Sequence, residues 1–243
     1  MLEDKERQRG RVSPATLGDI SPAEIALMLA PPPPGAVLEH ALAVAARAVI
    51  LVEGWSDQSA LLTLAMRRGD DLVSQRILVV PTGGITNVGQ FAAALGPQGI
   101  GLRLAGLYDA REQRQLGTAL RRARIAVDDS KDRFEALGFF ACDADLEDEL
   151  IRALGAPAVE RLLDRQGELE SFRTFQSQPA QRGRSTEAHL RRFMGTRAGR
   201  KIRYGTLLVG SLTLDQVPQS LDRVLVYAQN RATLLERPPR HVR

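Results

Sequence analysis

Cysteine is almost absent from this chain of 243 residues. Cys142 stands alone, which excludes an internal disulfide framework and fits a reducing cytoplasm. Histidine is nearly as scarce: His40, His189 and His241 are scattered, so no zinc constellation and no Ser-His-Asp arrangement can be assembled from sequence. Aromatics make up 5% of the chain, which leaves the core to Leu, Val, Ile and Ala. No apolar run approaches the ~18 residues of a membrane span, and the charged Met1–Arg11 is not followed by the apolar segment of a signal peptide. A membrane partner is therefore not expected. Phosphate-binding loops are missing too. Gly195–Lys201 is no P-loop, because Arg200 precedes the lysine and Ile202 follows it. No G-x-G-x-x-G follows a predicted strand, which leaves a dinucleotide fold unsupported.

Lysine is the last scarcity. Of 33 basic residues only Lys5, Lys131 and Lys201 are lysines, so each stands out. The net charge of +4 says little about partners, but its distribution says more. Basic residues crowd Arg165–Tyr204, while Asp128–Glu149 is strongly acidic. One part of the protein is suited to phosphates and another to cations.

With a hydrophobic content of 44% the chain can fill a core, and its patterning alternates. Apolar runs at Ala48–Val52, Arg76–Pro81, Leu102–Tyr108 and Gly138–Cys142 read as strands. Segments near Ser56–Arg68, Asn87–Leu95, Glu112–Arg122 and Leu146–Leu154 read as helices between them. This rhythm predicts an α/β fold with a parallel four-stranded sheet covered on both faces. Residues 1–35 read as a flexible leader, with a short helix over Pro22–Ala30 and a stiff linker at Pro31–Pro34. A helix over Ala36–Arg47 leads into the core, taken as residues 36–155. Residues 156–230 read as a helical, arginine-rich extension, with helices near Ala158–Gln166, Ser185–Met194 and Gly199–Gly210. Residues 231–243 read as a frayed tail.

The chemistry gathers where strands end. Val49-Ile50-Leu51-Val52 is followed at once by Glu53-Gly54, and Leu104–Tyr108 by Asp109. A carboxylate delivered by a buried strand has no routine structural use, and in open α/β sheets ligands bind beyond the carboxyl ends of strands. Asp57 follows Glu53 by four residues; it can face the same cation, or it or Ser56 can cap the helix. Arg111 and Glu112 read first as the opening turn of a solvated helix. Asp143, Asp145, Glu147, Asp148 and Glu149 form a third acidic group. A helix N-terminus accounts for part of it; Asp145 and Glu147 are selected as ligands, with Asp148 and Glu149 facing solvent. Lys201 is either a solvated charge or a point charge aimed at phosphate. Thr82–Asn87 is either a plain turn or a phosphate seat at a helix start.

Taken in order, these segments resemble a known family. Ile50-Leu51-Val52-Glu53-Gly54-Trp55-Ser56-Asp57 resembles the first motif of a TOPRIM domain, in the form found in the OLD (overcoming lysogenisation defect) nucleases. Pro81–Asn87 resembles the glycine-rich turn after the second strand, Gly106-Leu107-Tyr108-Asp109 the third strand, Asp145-Leu146-Glu147 the late acidic motif, and Gly199-Arg200-Lys201 the late lysine. The resemblance spans roughly residues 47–210. It implies a Rossmann-like sheet, one or two Mg²⁺ or Mn²⁺ ions, and cleavage of DNA. It also implies roles. Glu53, Asp57 and Asp109 would hold one ion, Asp109 would bridge to a second held by Asp145 and Glu147, and Lys201 would stabilise charge at the scissile phosphate. The chain departs from the pattern at Asp109-Ala110-Arg111, where Arg111 replaces the usual second acid; Glu112 is the nearest substitute. It also shows only a short leader where OLD proteins carry an ATPase, so a separate ATPase chain is an expected partner. An oligomer is compatible with the sequence. The alternative function is a non-catalytic nucleic-acid-binding or regulatory module with a degenerate metal site.

Overall fold

The computed structural model describes residues 30–128 and 130–230. The expected helix over Pro22–Ala30, the leader before it and the tail from Arg231 lie essentially outside this range. Helix α1 (Pro34–Ala43) starts earlier than the pattern suggested, because Pro34 sits at its first position, where the fixed φ of proline suits a helix and its missing N–H costs nothing. Four strands follow: β1 (Ala48–Val52), β2 (Ile77–Pro81), β3 (Arg103–Asp109) and β4 (Phe139–Cys142). All pair in parallel, in the order β2-β1-β3-β4.

Between the strands lie α2 (Trp55–Arg68), α3 (Val88–Leu95), α4 (Gln113–Arg122) and α5 (Lys131–Ala136). After β4 come α6 (Leu146–Leu154), α7 (Ala156–Arg165), α8 (Leu169–Gln176), α9 (Thr186–Met194), α10 (Ala198–Ser211) and α11 (Gln219–Gln229). The sequence reading missed α5, α8 and α11. α5 and α8 each bury one large apolar side chain, Phe134 and Phe172, which is too little for a periodicity to show. α11 buries Leu221, Val224, Leu225 and Ala228, a helical spacing that was legible.

Alternation along the strands divides the core in two. Ala48, Ile50 and Val52 of β1 pack with Leu61 and Leu64 of α2, Leu150 of α6, Tyr204 and Leu208 of α10 and Val224 of α11. Val49 and Leu51 pack on the other face with Val37 of α1, Phe91 of α3, Leu116 and Leu120 of α4, and Phe134 of α5. Helices from residue 156 onward thus cover the same sheet face as α2.

Two features of the packing position the site. β1 pairs with β3 in the register Leu51↔Gly106. Continued by two residues, that register sets Glu53 level with Tyr108 and one residue short of Asp109. α10 meanwhile crosses α2 at Gly205, where a Cβ would stand 2.6 Å from the Ser56 carbonyl oxygen. Only glycine permits that approach, and it brings the start of α10 to the carboxyl end of the sheet.

Candidate metal centre

One pocket at that end is lined by Glu53, Asp57, Asp109, Glu112, Asp145, Glu147 and Lys201, with Val52, Leu107 and Cys142 beneath them. The fold therefore brings together all the carboxylates singled out as ligands and the late lysine. Arg111 stands beside the pocket, its Nη2 donating to Asp109 Oδ2 at 3.0 Å.

Each acid is held by a local device. Glu53 follows β1, and its carbonyl accepts the Gly83 N–H at 2.9 Å, so the turn after β2 fixes the backbone of β1's acid. Thr82 and Asn87 spend their side chains closing this same turn, Thr82 Oγ1 on the Val52 carbonyl and Asn87 Nδ2 on the Thr82 carbonyl. Thr82–Asn87 is thus a bracing turn in this structure. Asp57, buried in the first turn of α2, accepts the Gly54 N–H at 2.9 Å through Oδ2, so the capping reading and the pocket position are both present. A short 3₁₀ turn, Ala110–Glu112, follows Asp109 and swings Glu112 back toward the strand ends. One carboxylate oxygen each from Glu53, Asp109 and Glu112 lie within 4.8 Å of one another. Of the two readings of Glu112, a solvated helix turn or a substitute acid, the structure places it beside Glu53 and Asp109.

Asp145 caps α6 through the Asp148 N–H at 2.8 Å and pairs with Arg191 at 2.5 Å, so both its oxygens are engaged. Glu147 is buried; its Oε2 lies 3.4 Å from Lys201 Nζ, and its Oε1 has no hydrogen-bond partner among the described residues. Asp148 and Glu149 do not simply face solvent. Asp148 pairs with Arg152 at 2.8 Å, and Glu149 accepts from Ser220 and from the Asp143 N–H.

The electrostatics record crowded negative charge. Burial, then Glu147, pushes Asp57 up to about 7. Burial, then Glu53, pushes Asp109 up to about 6, although Arg111 pulls it down. Burial and Glu53 raise Glu112, and burial raises Glu147 against the pull of Lys201. Burial alone would lower Lys201, but Glu147, Asp57 and Glu53 together hold it above its ordinary value. Converging hard oxygen donors, with the buried Glu147 Oε1 in the same pocket, fit a hard divalent cation.

A pH dependence follows. Asp57 titrates near 3.8 when exposed and near 7 in the fold, so the metal-free native state binds more protons than the unfolded chain between those values. Its contribution is complete below pH 4 and lost as pH rises through 7. In EDTA, Asp57→Asn should therefore raise the melting temperature at pH 8, by on the order of 5 °C, and have little effect near pH 4. Differential scanning fluorimetry across that range checks it.

The sheet is parallel and Rossmann-like, with acids at the ends of its two central strands. Comparison with known proteins finds that residues 45–110 match the model for the TOPRIM domain of overcoming lysogenization defect protein-like proteins. Two solved structures share the fold. The C-terminal region of the Xanthomonas campestris pv. campestris OLD protein is 24% identical with a TM-score of 0.60, the match covering 78% of this chain and 97% of that one. The C-terminal region of the Burkholderia pseudomallei OLD protein is 21% identical with a TM-score of 0.58, covering 76% and 97%. No curated protein sequence gives a match. Among the described residues no helix is long and apolar enough to cross a membrane.

Proposed function

We propose that this chain is a metal-dependent nuclease that hydrolyses DNA phosphodiester bonds. The observation that carries the reading is the convergence of Glu53, Asp109 and Glu112 within 4.8 Å, in one pocket with Asp57, Asp145, Glu147 and Lys201. Glu53 and Asp109 are the central ligands in this reading, with Glu112 replacing the acid absent at position 111. Asp57 and Glu147, joined by Asp145, form the second group of donors. A divalent ion held by these carboxylates would supply Lewis-acid activation of water and neutralisation of phosphate charge. Lys201 extends from α10 toward the same space, still 39% exposed and paired with Glu147. It is the group suited to hold a phosphate oxygen and to stabilise charge developing on it. In this proposal residues 36–155 supply the carboxylates, and residues 156–230 supply the lysine. A separate ATPase chain is a proposed partner.

The test is incubation of purified protein with supercoiled and linear DNA in Mg²⁺ or Mn²⁺, beside Glu53→Ala. The expected result is cleavage that disappears in the variant. Cleavage that persists in Glu53→Ala would sink the assignment.

The Arg111–Asp109 pair favours a second reading, a nucleic-acid-binding module whose metal site is degenerate. Arg111→Asp separates the two. Removing the cation and restoring a second acid should tighten Mn²⁺ binding about tenfold, ~1.4 kcal/mol, by calorimetry. If the site is a working one, cleavage should rise at limiting metal; in a module without catalytic geometry, binding would tighten and no cleavage would appear.

A further inference from the structure

The basic charge of the C-terminal helices is in good part engaged internally. Arg191 pairs with Asp145, Arg200 and Arg203 with Glu168, and Arg173 with Glu160. Arg165, Arg182, Arg192 and Arg197 there stay exposed without such a pair among the described residues. On α4, Arg114 and Arg122 are likewise exposed and make no side-chain hydrogen bond or ion pair among the described residues. They lie eight residues apart with Thr118 midway, so the three share one helix face over ~12 Å. That face is one wall of a cleft of about 240 Å³ lined by Thr86, Arg114, Gln115, Thr118, Ala119 and Arg122. Its lining has two cations, two hydroxyls and an amide, and no carboxylate. The cleft exists because α3 lies against α4 at Gly89, where a Cβ would stand 2.8 Å from the Ala119 carbonyl oxygen. It is also continuous in chain with the acidic pocket. Thr86 lies between Ile85 and Val88, and Arg114 follows Glu112 by two residues; Ile85, Val88 and Glu112 all line the pocket.

We propose that this cleft seats the sugar–phosphate backbone of the nucleic-acid strand whose phosphodiester reaches the acidic pocket, an inference that rests on the nucleic-acid function proposed above. Arginine, threonine and glutamine side chains are the usual donors to phosphate and sugar oxygens, and such contacts set register without reading bases. A backbone entering a pocket crowded with carboxylates needs compensating charge nearby, and Arg114 and Arg122 supply it from the adjoining wall. In this proposal the seat is on α4, a helix outside the basic stretch Arg165–Tyr204.

The test uses the full chain in the Glu53→Ala background with Mg²⁺. Binding of a fluorescein-labelled single strand and of its duplex is read by anisotropy over a range of salt. Arg114→Ala/Arg122→Ala should weaken binding about tenfold or more, equally for unrelated sequences. It should also lower the slope of log K against log salt by roughly 1.4 to 1.8, two lost phosphate contacts. Thr118→Glu, an exposed change that puts a negative charge between the arginines, should weaken binding in the same way. Mn²⁺ calorimetry on the same cleft substitutions made in the chain that keeps Glu53 reports whether the acidic pocket is intact. Unchanged affinity and slope with Mn²⁺ binding intact would overturn the cleft and leave the nuclease reading standing. No nucleic-acid binding by the parent would also overturn it, the metal titration still reporting on the pocket. Absence of cleavage by the wild type, with the predicted loss of affinity, would retain the cleft and remove the nuclease.

Discussion

Asp109→Asn is expected to lower cleavage by about 10²–10³-fold, ~3–4 kcal/mol of transition-state stabilisation, without unfolding the protein. Asparagine keeps the size of the side chain and an oxygen for Arg111 to donate to, so the end of β3 need not move. It removes the negative charge whose oxygen lies within 4.8 Å of those of Glu53 and Glu112. Three measurements should move together and in different directions. Cleavage falls. Mn²⁺ affinity falls, because a hard cation loses an anionic donor. The melting temperature in EDTA at pH 8 rises, because burial and Glu53 disfavour the charged form of Asp109. A residue serving only the fold would lose stability on substitution, so a lower melting temperature with unchanged metal affinity would refute a ligand role. The opposing signs are those of a site whose function costs stability.

Gly205→Val should damage the site from a distance. A Cβ at 205 meets the Ser56 carbonyl oxygen at 2.6 Å, and that oxygen belongs to backbone and cannot rotate away. The branched valine must push α10 off α2, at a cost of about 2 kcal/mol, or a melting temperature lower by ~5 °C. Lys201 lies one turn before Gly205 on the same side of α10, so the displacement should open its 3.4 Å approach to Glu147. Cleavage should fall by at least tenfold while Mn²⁺ affinity changes less, since Glu53 and Asp109 are carried by paired strands. Gly205→Ala should show the same pattern, weakened. Equal losses of metal binding and cleavage would mean that the substitution disturbs the whole pocket, and the separate role of α10 would be lost.

The strands were legible because each buried run ends in a residue that breaks it, and β1 and β3 end in acids. Local spacing also placed Asp57 near Glu53, since a strand-to-helix turn leaves residues four apart on one side. What was not legible is how the acids are shared out. Glu112 joins Glu53 and Asp109 only because Ala110–Glu112 forms a 3₁₀ turn rather than opening α4 directly. Arg191 occupies an oxygen of Asp145 across 46 residues, and no local pattern reports such a partner. Lys201 was singled out by its rarity and by resemblance; its path into the pocket depends on a helix crossing at Gly205. Charge counted along Arg165–Tyr204 likewise does not register which arginines already hold a carboxylate, as Arg173, Arg191, Arg200 and Arg203 do.

The sheet face formed by Ala48, Ile50 and Val52 is covered by α2 together with helices from the far end of the chain, Tyr204 and Val224 among their contacts. This has a genetic consequence. The acid-bearing half cannot be transplanted between proteins as a cassette ending near residue 155, since the graft would keep only α2 and α6 on this apolar sheet face and expose the rest to aggregation. Viable chimeras of this domain should keep everything through α11 from one parent, and random truncations that survive selection for solubility should cluster beyond Gln229.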